Sequence, residues 1–277
     1  MVTVSSLHIY PVKSTAGVPA QAHRVEKRGL ALDRRWAIFG ASGQVITARE
    51  IPKILGLQVR MDGAHAMLYA LGQSESFELT APADGTIHQV AVFKNQTAGV
   101  EVSAALNDWL SAYLGTPCTL LYMSDAVERP VLEKNGGGAH DIVSYADQCP
   151  ILLVSEATLD DLNSRLDDAV TMQRFRPNIV VKGCDASAED TWKKIKIGAV
   201  TYTVSQLCQR CVFTTIDPQT FTHHKRQEPL RTLATYRPHP DGGVAFGVHL
   251  IPLEEGVIQA GDAVEVLNIE HPTRNFQ

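Results

Sequence analysis

The chain has 277 residues, of which 44% are hydrophobic, and it carries a formal net charge of −5 with a pI near 6.0. This length and composition suffice for a substantial core, and the negative charge gives no overall attraction to nucleic acid or an anionic bilayer. Its five cysteines are too dispersed for a disulfide framework, which favours a reducing compartment. Because the sequence has no basic-then-apolar leader and no apolar run approaching about 18 residues, we expect a soluble, cytoplasmic protein.

The N-terminal quarter is strand-like. β-forming residues dominate positions 2–10, where Pro11 ends the run, and this predicts an opening strand. Two further β-prone runs, 34–40 and 44–50, flank a short turn that contains glycine. We therefore predict a hairpin there.

A helix is predicted in the middle of the chain. Ser103 is suited to cap it, apolar residues such as Leu106 and Leu110 recur at helical spacing, and Gly115 provides a stop. The apolar stripe of this helix should be buried. The glycine-rich segment 133–141 lacks the lysine and the strand-to-helix context of a phosphate-binding loop, so we predict a mobile loop with no catalytic role.

The C-terminal half is predominantly strand-like. An apolar run at 151–154 leads to Ser155, which is suited to cap a helix with three leucines on one face. Segments 178–183, 194–206 and 261–269 have the composition of strands. The pattern predicts an α+β fold in which a β-barrel or strongly bent sheet packs against a few helices.

The stretch "QLCQRCVFTT" places two thiols, Cys208 and Cys211, three positions apart. A zinc site needs four ligands, and the nearby His223 and His224 are adjacent rather than spaced for zinc. A dithiol redox centre needs a helix N-terminus, whereas the residues after the pair are β-prone. Simple core burial is disfavoured by Arg210, whose charge favours a thiolate and an anion beside it. A soft metal delivered on an anionic carrier fits this set best, although the other interpretations stay open.

Other cationic residues support an anionic ligand. In "RFRPNIVV" an extended chain would place Arg174, Arg176 and Asn178 on one face. The stretches "LDRRW" and "YPVKS" add further cations, and we expect one arginine of the former to pair with Asp33. Each of these signals is weak when taken singly.

Together these stretches resemble the MOSC domain family, with both its N-terminal β-barrel part and its MOSC part. The segments "YPVKSTAG", "GLALDRRWAIF", "ITARE", "SEATLDDLNSRL", "RFRPNIVVKG", "CQRCVFTTIDP", "EPLRTLATYR" and "GVIQAGDAVEVL" occur in the family's order and cover nearly the whole chain. The resemblance is to the amidoxime-reducing and hydroxylaminopurine-detoxifying molybdoenzymes of the family. It implies a MOSC N-terminal region at 1–122, with about 36–122 as an inserted α/β part, and a cofactor-binding MOSC domain at 123–270.

The resemblance also implies a molybdenum cofactor, in which the metal is held on a pterin dithiolene that ends in a phosphate. By motif position the metal ligand and catalytic residue is Cys211, and Cys208 is a neighbour. The implied cofactor contacts are Lys13, Ser14, Arg34, Arg176, Asn178, Gln209, Arg210 and Cys211. Gln209 stands where relatives often have serine. No contact is carried over from the strand around Phe93 and Lys94.

The function implied is the reduction of N-hydroxylated compounds, such as amidoximes, hydroxylamines and N-hydroxylated nucleobases, by oxygen-atom removal in detoxification. The alternatives are a carrier of molybdenum cofactor or sulfur without turnover, and a zinc- or thiol-stabilised binding protein. The cysteines lack the spacing of an iron–sulfur site and no dinucleotide fingerprint occurs. We therefore expect a separate electron donor, a ferredoxin or a flavoprotein reductase, and no nucleic-acid or membrane partner.

Overall fold

A computed structural model describes residues 1–62, 65–82 and 84–267. The described chain is mostly β-sheet. Its strands, in chain order, are β1 (Thr3–Ile9), β2 (Val18–Ala20), β3 (Ala22–Glu26), β4 (Gly29–Leu30), β5 (Trp36–Gly40), β6 (Leu57–Asp62), β7 (His65–Ala70), β8 (Ser76–Glu78), β9 (Ile87–Val92), β10 (Asn95–Glu101), β11 (Cys118–Tyr122), β12 (Ile151–Ser155), β13 (Ile179–Lys182), β14 (Lys194–Ile197), β15 (Val200–Arg210), β16 (Val244–Pro252), β17 (Gly256–Gln259) and β18 (Val264–Val266).

Helices are few and short. Within the described ranges the α-helices are α1 (Ala104–Leu114), α2 (Glu156–Asn163) and α3 (Leu230–Leu233). Single 3₁₀ turns span Pro52–Gly56, Glu133–Asn135, Met172–Arg174, Ala188–Thr191 and Val212–Thr215. A predominantly sheet structure with a few packed helices agrees with the α+β class expected from the sequence.

The largest sheet joins the beginning of the chain to its C-terminal half. Its eight strands lie in the order β18-β14-β15-β16-β12-β13-β1-β2. Strand β1 pairs antiparallel with β13, and β13 pairs parallel with β12. Buried side chains of these strands form one core with residues of the small sheet β17-β3-β4, such as Val25 and Ile258. Removing this apolar surface from water is the main force that holds the two sheets together.

The middle of the chain builds separate sheets. Strands β5, β11, β10 and β9 form a four-stranded sheet, and β6, β7 and β8 form a three-stranded one. The helix α1 packs into their shared core through Leu106 and Leu110, as its apolar stripe predicts. Ile216 of the C-terminal half belongs to the same core, so the two parts of the chain are packed together.

Several local predictions are confirmed. The opening strand is β1. The side chain of Ser103 accepts a hydrogen bond from the Leu106 amide at the start of α1, and Gly115 ends that helix in the left-handed conformation. Ser155 caps α2 in the same way, although the helix ends at Asn163 and leaves Leu166 outside it. Segment 261–269 contains β18, and its last two residues lie outside the described residues.

The predicted hairpin forms only in part. β5 is a strand, but the second arm pairs with it through a single bridge, Phe39 to Val45. The chain then turns at Thr47, because the Glu50 carboxylate accepts hydrogen bonds from the amide and hydroxyl of Thr47, at 3.0 and 2.6 Å. This local side-chain bonding competes with the ladder that the β-prone sequence would otherwise extend.

Barrel closure stays a prediction. In the described residues no continuous ladder closes the eight-stranded sheet; one bridge, Thr3 to Ala263, and neighbouring backbone hydrogen bonds join β1 to the segment that leads into β18.

In the same described ranges, no helix is both long and apolar enough to span a bilayer.

Candidate active site

A cavity of about 700 Å³ opens between the two parts of the chain. Its wall includes every residue that the sequence singled out for the cofactor: Lys13, Ser14, Arg34, Arg176, Asn178, Gln209, Arg210 and Cys211. These residues are spread over almost 200 positions of sequence: they follow β1, precede β5, precede β13 and end β15.

The cavity is strongly cationic. Its lining contains the lysines and arginines Lys13, Arg34, Arg49, Lys94, Lys134, Arg176 and Arg210. Among the described residues of the lining, Asp147 is the single acid. A chain of net charge −5 therefore concentrates positive charge at this one place, which is the electrostatic signature of a site for an anionic ligand.

The two thiols lie on either side of a strand end. Cys208 is inside β15 and is buried, whereas Cys211 follows the last residue of that strand and is partly exposed to the cavity. The residues after Cys211 form the 3₁₀ turn Val212–Thr215, so the expectation that they continue as β-structure is wrong. The turn is fixed by the Thr214 amide, which donates to the Cys211 carbonyl at 3.1 Å.

Arg210 contacts the thiol that is further from it in sequence. Its Nη1 donates to Cys208 Sγ at 2.8 Å and its Nη2 to the Phe175 carbonyl at 2.7 Å. Burial opposes ionisation of the Cys208 thiol, but the charges of Arg210 and His249 outweigh burial and lower its pKa to about 6. The hydrogen bond of Arg210 therefore goes to the buried thiol of the pair, two positions earlier on the same face of the strand.

The cation beside Cys211 is Arg49. Its Nε donates to Cys211 Sγ at 3.2 Å, and its Nη2 forms an ion pair with Asp147. Asp147 also pairs with Lys13, whose Nζ donates in addition to the Tyr145 carbonyl at 2.7 Å. Burial of Asp147 favours its neutral form, yet the two cations outweigh burial and hold the pKa of its carboxyl well below the ordinary range. Burial lowers the pKa of the Lys13 ammonium to about 8, despite Asp147.

Two arginines enclose Tyr10. The guanidinium carbons of Arg34 and Arg176 lie 4.2 and 4.1 Å from its ring centroid. Arg34 Nη1 also donates to Asp33 and to Asn178 Oδ1, at 2.5 and 3.0 Å, so Arg34 is the arginine of "LDRRW" that pairs with Asp33. Cation–π contact fixes the planes of both guanidinium groups at the cavity wall.

The extended geometry predicted for "RFRPN" is wrong. Met172–Arg174 is a 3₁₀ turn, and Arg176 has a φ of +56°, which breaks the alternation of side chains. Arg174 therefore points elsewhere and donates to the Thr215 carbonyl and to Asp217, at 3.1 and 3.0 Å. Arg176 and Asn178 do reach the cavity.

Some predicted contacts already have protein partners. The Asn178 amide group donates to the His8 carbonyl at 3.2 Å, and its oxygen accepts from Arg34 and from the Leu152 amide. The Gln209 side chain donates to the Gly242 carbonyl at 2.6 Å. Their direct contact with a cofactor stays a prediction, and Asn178 in addition positions Arg34.

Some buried donors at the cavity wall have no hydrogen-bond partner among the described residues. Arg176 Nη2 and Arg210 Nε are buried nitrogens without a hydrogen-bond partner within the part of the chain that the structure describes. His249 Nδ1 is in the same condition, and its side chain also lines the cavity. A buried charged donor without an acceptor is costly, so two guanidinium N–H groups at one wall fit an oxygen-rich anion.

Sequence reasoning missed several residues of the site, among them Arg49, Asp147 and His249, and it carried over no contact from Phe93, which also lines the cavity. Arg49 lies in "ITARE", a segment that carries the family resemblance and belongs to the predicted second arm of the hairpin, and the resemblance is the signal that could have pointed to it. Phe93 is at the tip of the β9–β10 hairpin with a φ of +56°, and its ring lies 4.7 Å from the Arg49 guanidinium. The segment 133–141, given no role from sequence, contributes Lys134 and Asn135 to the lining.

The zinc interpretation receives no support from the side-chain arrangement. In the described ranges, no group of three or more His, Cys, Asp or Glu side chains is placed to hold a metal ion. His223 bonds instead to the Thr215 hydroxyl at 2.9 Å. The partly exposed thiol of the lining, Cys211, instead has the Arg49 guanidinium beside it.

Comparison with known proteins gives consistent matches along the chain. The family model described as MOSC N-terminal beta barrel domain matches residues 1–117, and the model described as MOSC domain matches residues 140–265. The human protein named mitochondrial amidoxime-reducing component 1 is 33% identical, with 96% of this chain and 83% of the relative covered.

A second relative and one solved structure extend these matches. The rat protein named mitochondrial amidoxime reducing component 2 is 36% identical, over 85% of this chain and 72% of the relative. Among solved structures, the YUAD protein from Bacillus subtilis aligns with a TM-score of 0.45 and 10% identity, over 95% of this chain and 94% of that chain.

Proposed function

The chain belongs to the MOSC domain family, and from that premise we propose that it is a molybdenum-cofactor-dependent oxidoreductase that removes oxygen from N-hydroxylated compounds. The names of its relatives specify amidoxime reduction. We extend the substrate class to amidoximes, hydroxylamines and N-hydroxylated nucleobases. The observation that carries the proposal is a cationic cavity with an accessible thiol, Cys211, in its wall.

The residues of the cavity fit the cofactor on physical grounds. A pterin dithiolene with a terminal phosphate is a polyanion that presents many oxygen and sulfur acceptors. The cavity offers seven lysine and arginine side chains, two of which have buried N–H groups without an acceptor in the described residues. Charge-assisted hydrogen bonds of this kind are the strong ones, and arginine suits phosphate in particular.

We assign roles to the residues as follows. Cys211 would ligate the metal, because its thiol faces the cavity while that of Cys208 is buried and bonded to Arg210. The groups that would hold the cofactor are Lys13, Ser14, Arg34, Arg176, Asn178, Gln209 and Arg210. When bound, the cofactor supplies two-electron chemistry that the side chains cannot perform, and the protein contributes binding, orientation and electrostatics.

We further propose that electrons come from a separate protein, a ferredoxin or a flavoprotein reductase. The five cysteines of the chain are free, and spending the pair Cys208 and Cys211 on a cluster would remove the proposed metal ligand. The cytoplasmic location expected from composition stays a prediction, since the relatives carry the word mitochondrial in their names.

The experiment that tests the proposal combines metal analysis with turnover. Purified protein from a host that makes the cofactor should contain about one molybdenum per chain, as expected for a single resident cofactor. It should reduce benzamidoxime when supplied with a reduced viologen dye and not with NADH alone. Molybdenum without turnover would favour the carrier alternative, and protein without molybdenum would refute both. Steady turnover with NADH alone would refute the need for a separate donor.

A further inference from the structure

Arg49 reaches the cavity from the middle part of the chain, on a turn that holds it rigidly. The Arg49 amide donates to the Thr47 hydroxyl at 3.2 Å, and the same hydroxyl donates to the Glu50 carboxylate at 2.6 Å. The Ile51 amide donates to the Thr47 carbonyl at 3.0 Å. The backbone that carries Arg49 is thus fixed by hydrogen bonds on both sides of it.

The guanidinium group of Arg49 is fixed as firmly as its backbone. Asp147 takes its Nη2 in an ion pair, and the ring of Phe93 lies against its face at 4.7 Å. These two contacts set the plane of the guanidinium group, and that plane directs Nε–H at the sulfur of Cys211, 3.2 Å away. Because the fork is planar and rigid, a residue fixed at two points delivers its third donor with little loss of entropy.

No other cation of the cavity takes this place. Arg210, the sequence neighbour of Cys211, uses its Nη1 on Cys208. Lys13 uses its ammonium on Asp147 and on the Tyr145 carbonyl. Among the described residues, Arg49 is the one side chain that donates a hydrogen bond to Cys211 Sγ.

We propose that Arg49 is a positioning residue for Cys211: its hydrogen bond holds the sulfur toward the cavity and would draw electron density from it when the metal is bound. The inference rests on the proposed function, in which Cys211 ligates molybdenum. Hydrogen bonds to a ligand sulfur raise the reduction potential of the metal, and partners in the outer shell are a principal means by which proteins tune a site. Asp147 serves this role indirectly, by clamping Arg49.

The decisive variant is Arg49→Lys. Lysine keeps the positive charge and can still pair with Asp147, but it has no guanidinium group that could donate to Asp147 and to the Cys211 sulfur at the same time. We expect the molybdenum midpoint potential to fall and the electron paramagnetic resonance signal of pentavalent molybdenum to shift. Activity should decrease roughly 10- to 100-fold, the usual range for outer-shell partners. Asp147→Asn, which leaves Arg49 present but unclamped, should shift the potential in the same direction by less.

Arg174→Lys is the matched control. Like Arg49, Arg174 pairs with an aspartate, Asp217, but its other acceptor is the Thr215 carbonyl and it does not line the cavity. Its variant should keep the wild-type potential and signal. Wild-type potential and signal in Arg49→Lys would overturn the inference and leave the proposed function intact. If the Arg49→Lys protein holds no metal, the Asp147→Asn protein is used for the test. An unchanged molybdenum midpoint potential in the Asp147→Asn protein would then overturn the inference. Wild-type protein without molybdenum would overturn both.

Discussion

The two thiols of "CQRC" belong to two different regions of one cavity. The region around Cys208 is built within the C-terminal half of the chain: the thiol is buried in β15, packs in one core with residues such as Phe175 and Phe246, and is bonded by Arg210 of the same strand. The region around Cys211 lies where the middle part of the chain meets that sheet, and its cation, Arg49, comes from 162 positions earlier in the sequence. The two thiols are only three positions apart, yet Cys208 lies inside the C-terminal half of the chain and Cys211 lies where that half meets the middle part.

This difference explains how one motif can supply both structure and chemistry. The Cys208 thiol is shielded, and its charge is balanced by Arg210 of its own strand and by His249 of the neighbouring strand. A thiol at a junction is exposed to a ligand, and its surroundings can be set by residues from either part. Functional groups are often found where packed units meet, because neither unit alone fills the space between them.

The largest effect expected from this comparison concerns the two cysteines themselves. Cys211→Ser should remove the soft metal ligand, since a neutral hydroxyl is a poor substitute for a thiolate. We expect activity to fall by more than about 100-fold, beyond the range of outer-shell changes. Cys208→Ser should cost about tenfold or less, because it loosens Arg210 without removing the ligand. Initial rates with benzamidoxime and a reduced viologen dye give the comparison.

Both cysteine variants must be shown to fold, and thermal unfolding of the cofactor-free proteins provides that check. Equal losses of activity in two folded variants would contradict the separate roles. In that case a zinc or dithiol interpretation would regain ground.

A smaller effect is expected from the cations that would hold the cofactor. Arg176→Ala should lower cofactor occupancy more than Arg34→Ala, because Arg176 has an unused buried N–H while Arg34 is partly neutralised by Asp33. A charge-assisted hydrogen bond contributes about 1.5–3 kcal/mol, or roughly 10- to 150-fold in affinity. Lys13→Ala should resemble Arg34→Ala, since Asp147 already pairs with Lys13.

Occupancy is measured as molybdenum and pterin per chain after expression with limiting cofactor. Arg174→Ala is the control, because Arg174 is also paired and partly buried but lies outside the cavity lining. Full occupancy in the variants of Arg176, Arg34 and Lys13 would contradict the assignment of the anion site.

The sequence predicted much of the fold because the local signals agreed with each other. Strand β1 and the caps of α1 and α2 follow from alternation, proline and serine positions that act over a few residues. The hairpin failed where a competing local bond, Glu50 to Thr47, turned the chain. The geometry at Arg176 failed because a positive φ cannot be read from residue type when the residue is not glycine.

The site was predicted less fully, for a different reason. Residues Lys13, Arg34, Arg176 and Cys211 were identified through motif resemblance and do line one cavity. The partners that these residues contact were not predictable. Arg49, which contacts Cys211, and Asp147, which pairs with Lys13, lie far from their partners in the chain. Strand periodicity does predict that Arg210 and Cys208, two positions apart, share one face of the strand, and that signal was available in the sequence.

The smallest expected effect is on the free energy of unfolding of the cofactor-free protein. Its dependence on pH tests whether the surroundings of Cys208 stabilise a thiolate. The folded protein holds the pKa of Cys208 near 6, below that of a thiol in an unfolded chain. A group with a depressed pKa contributes stability that is fully present above its unfolded value and is lost as pH falls through its folded value. Wild-type protein should therefore gain stability relative to Cys208→Ser as pH rises from about 6 to about 9, on the order of a few kcal/mol at most.

Urea unfolding of the cofactor-free proteins in reductant, at several pH values across this window, measures the difference in the free energy of unfolding. Groups such as Lys13 titrate in both proteins, so their contributions largely cancel in the difference. Cys184→Ser is the matched control, because burial raises the pKa of Cys184 and its ionisation opposes folding. The difference between wild type and Cys184→Ser should therefore not grow with pH. Parallel stability curves for wild type and Cys208→Ser would show that Arg210 and His249 do not hold a thiolate, and the contrast between the two thiols would then rest on exposure alone.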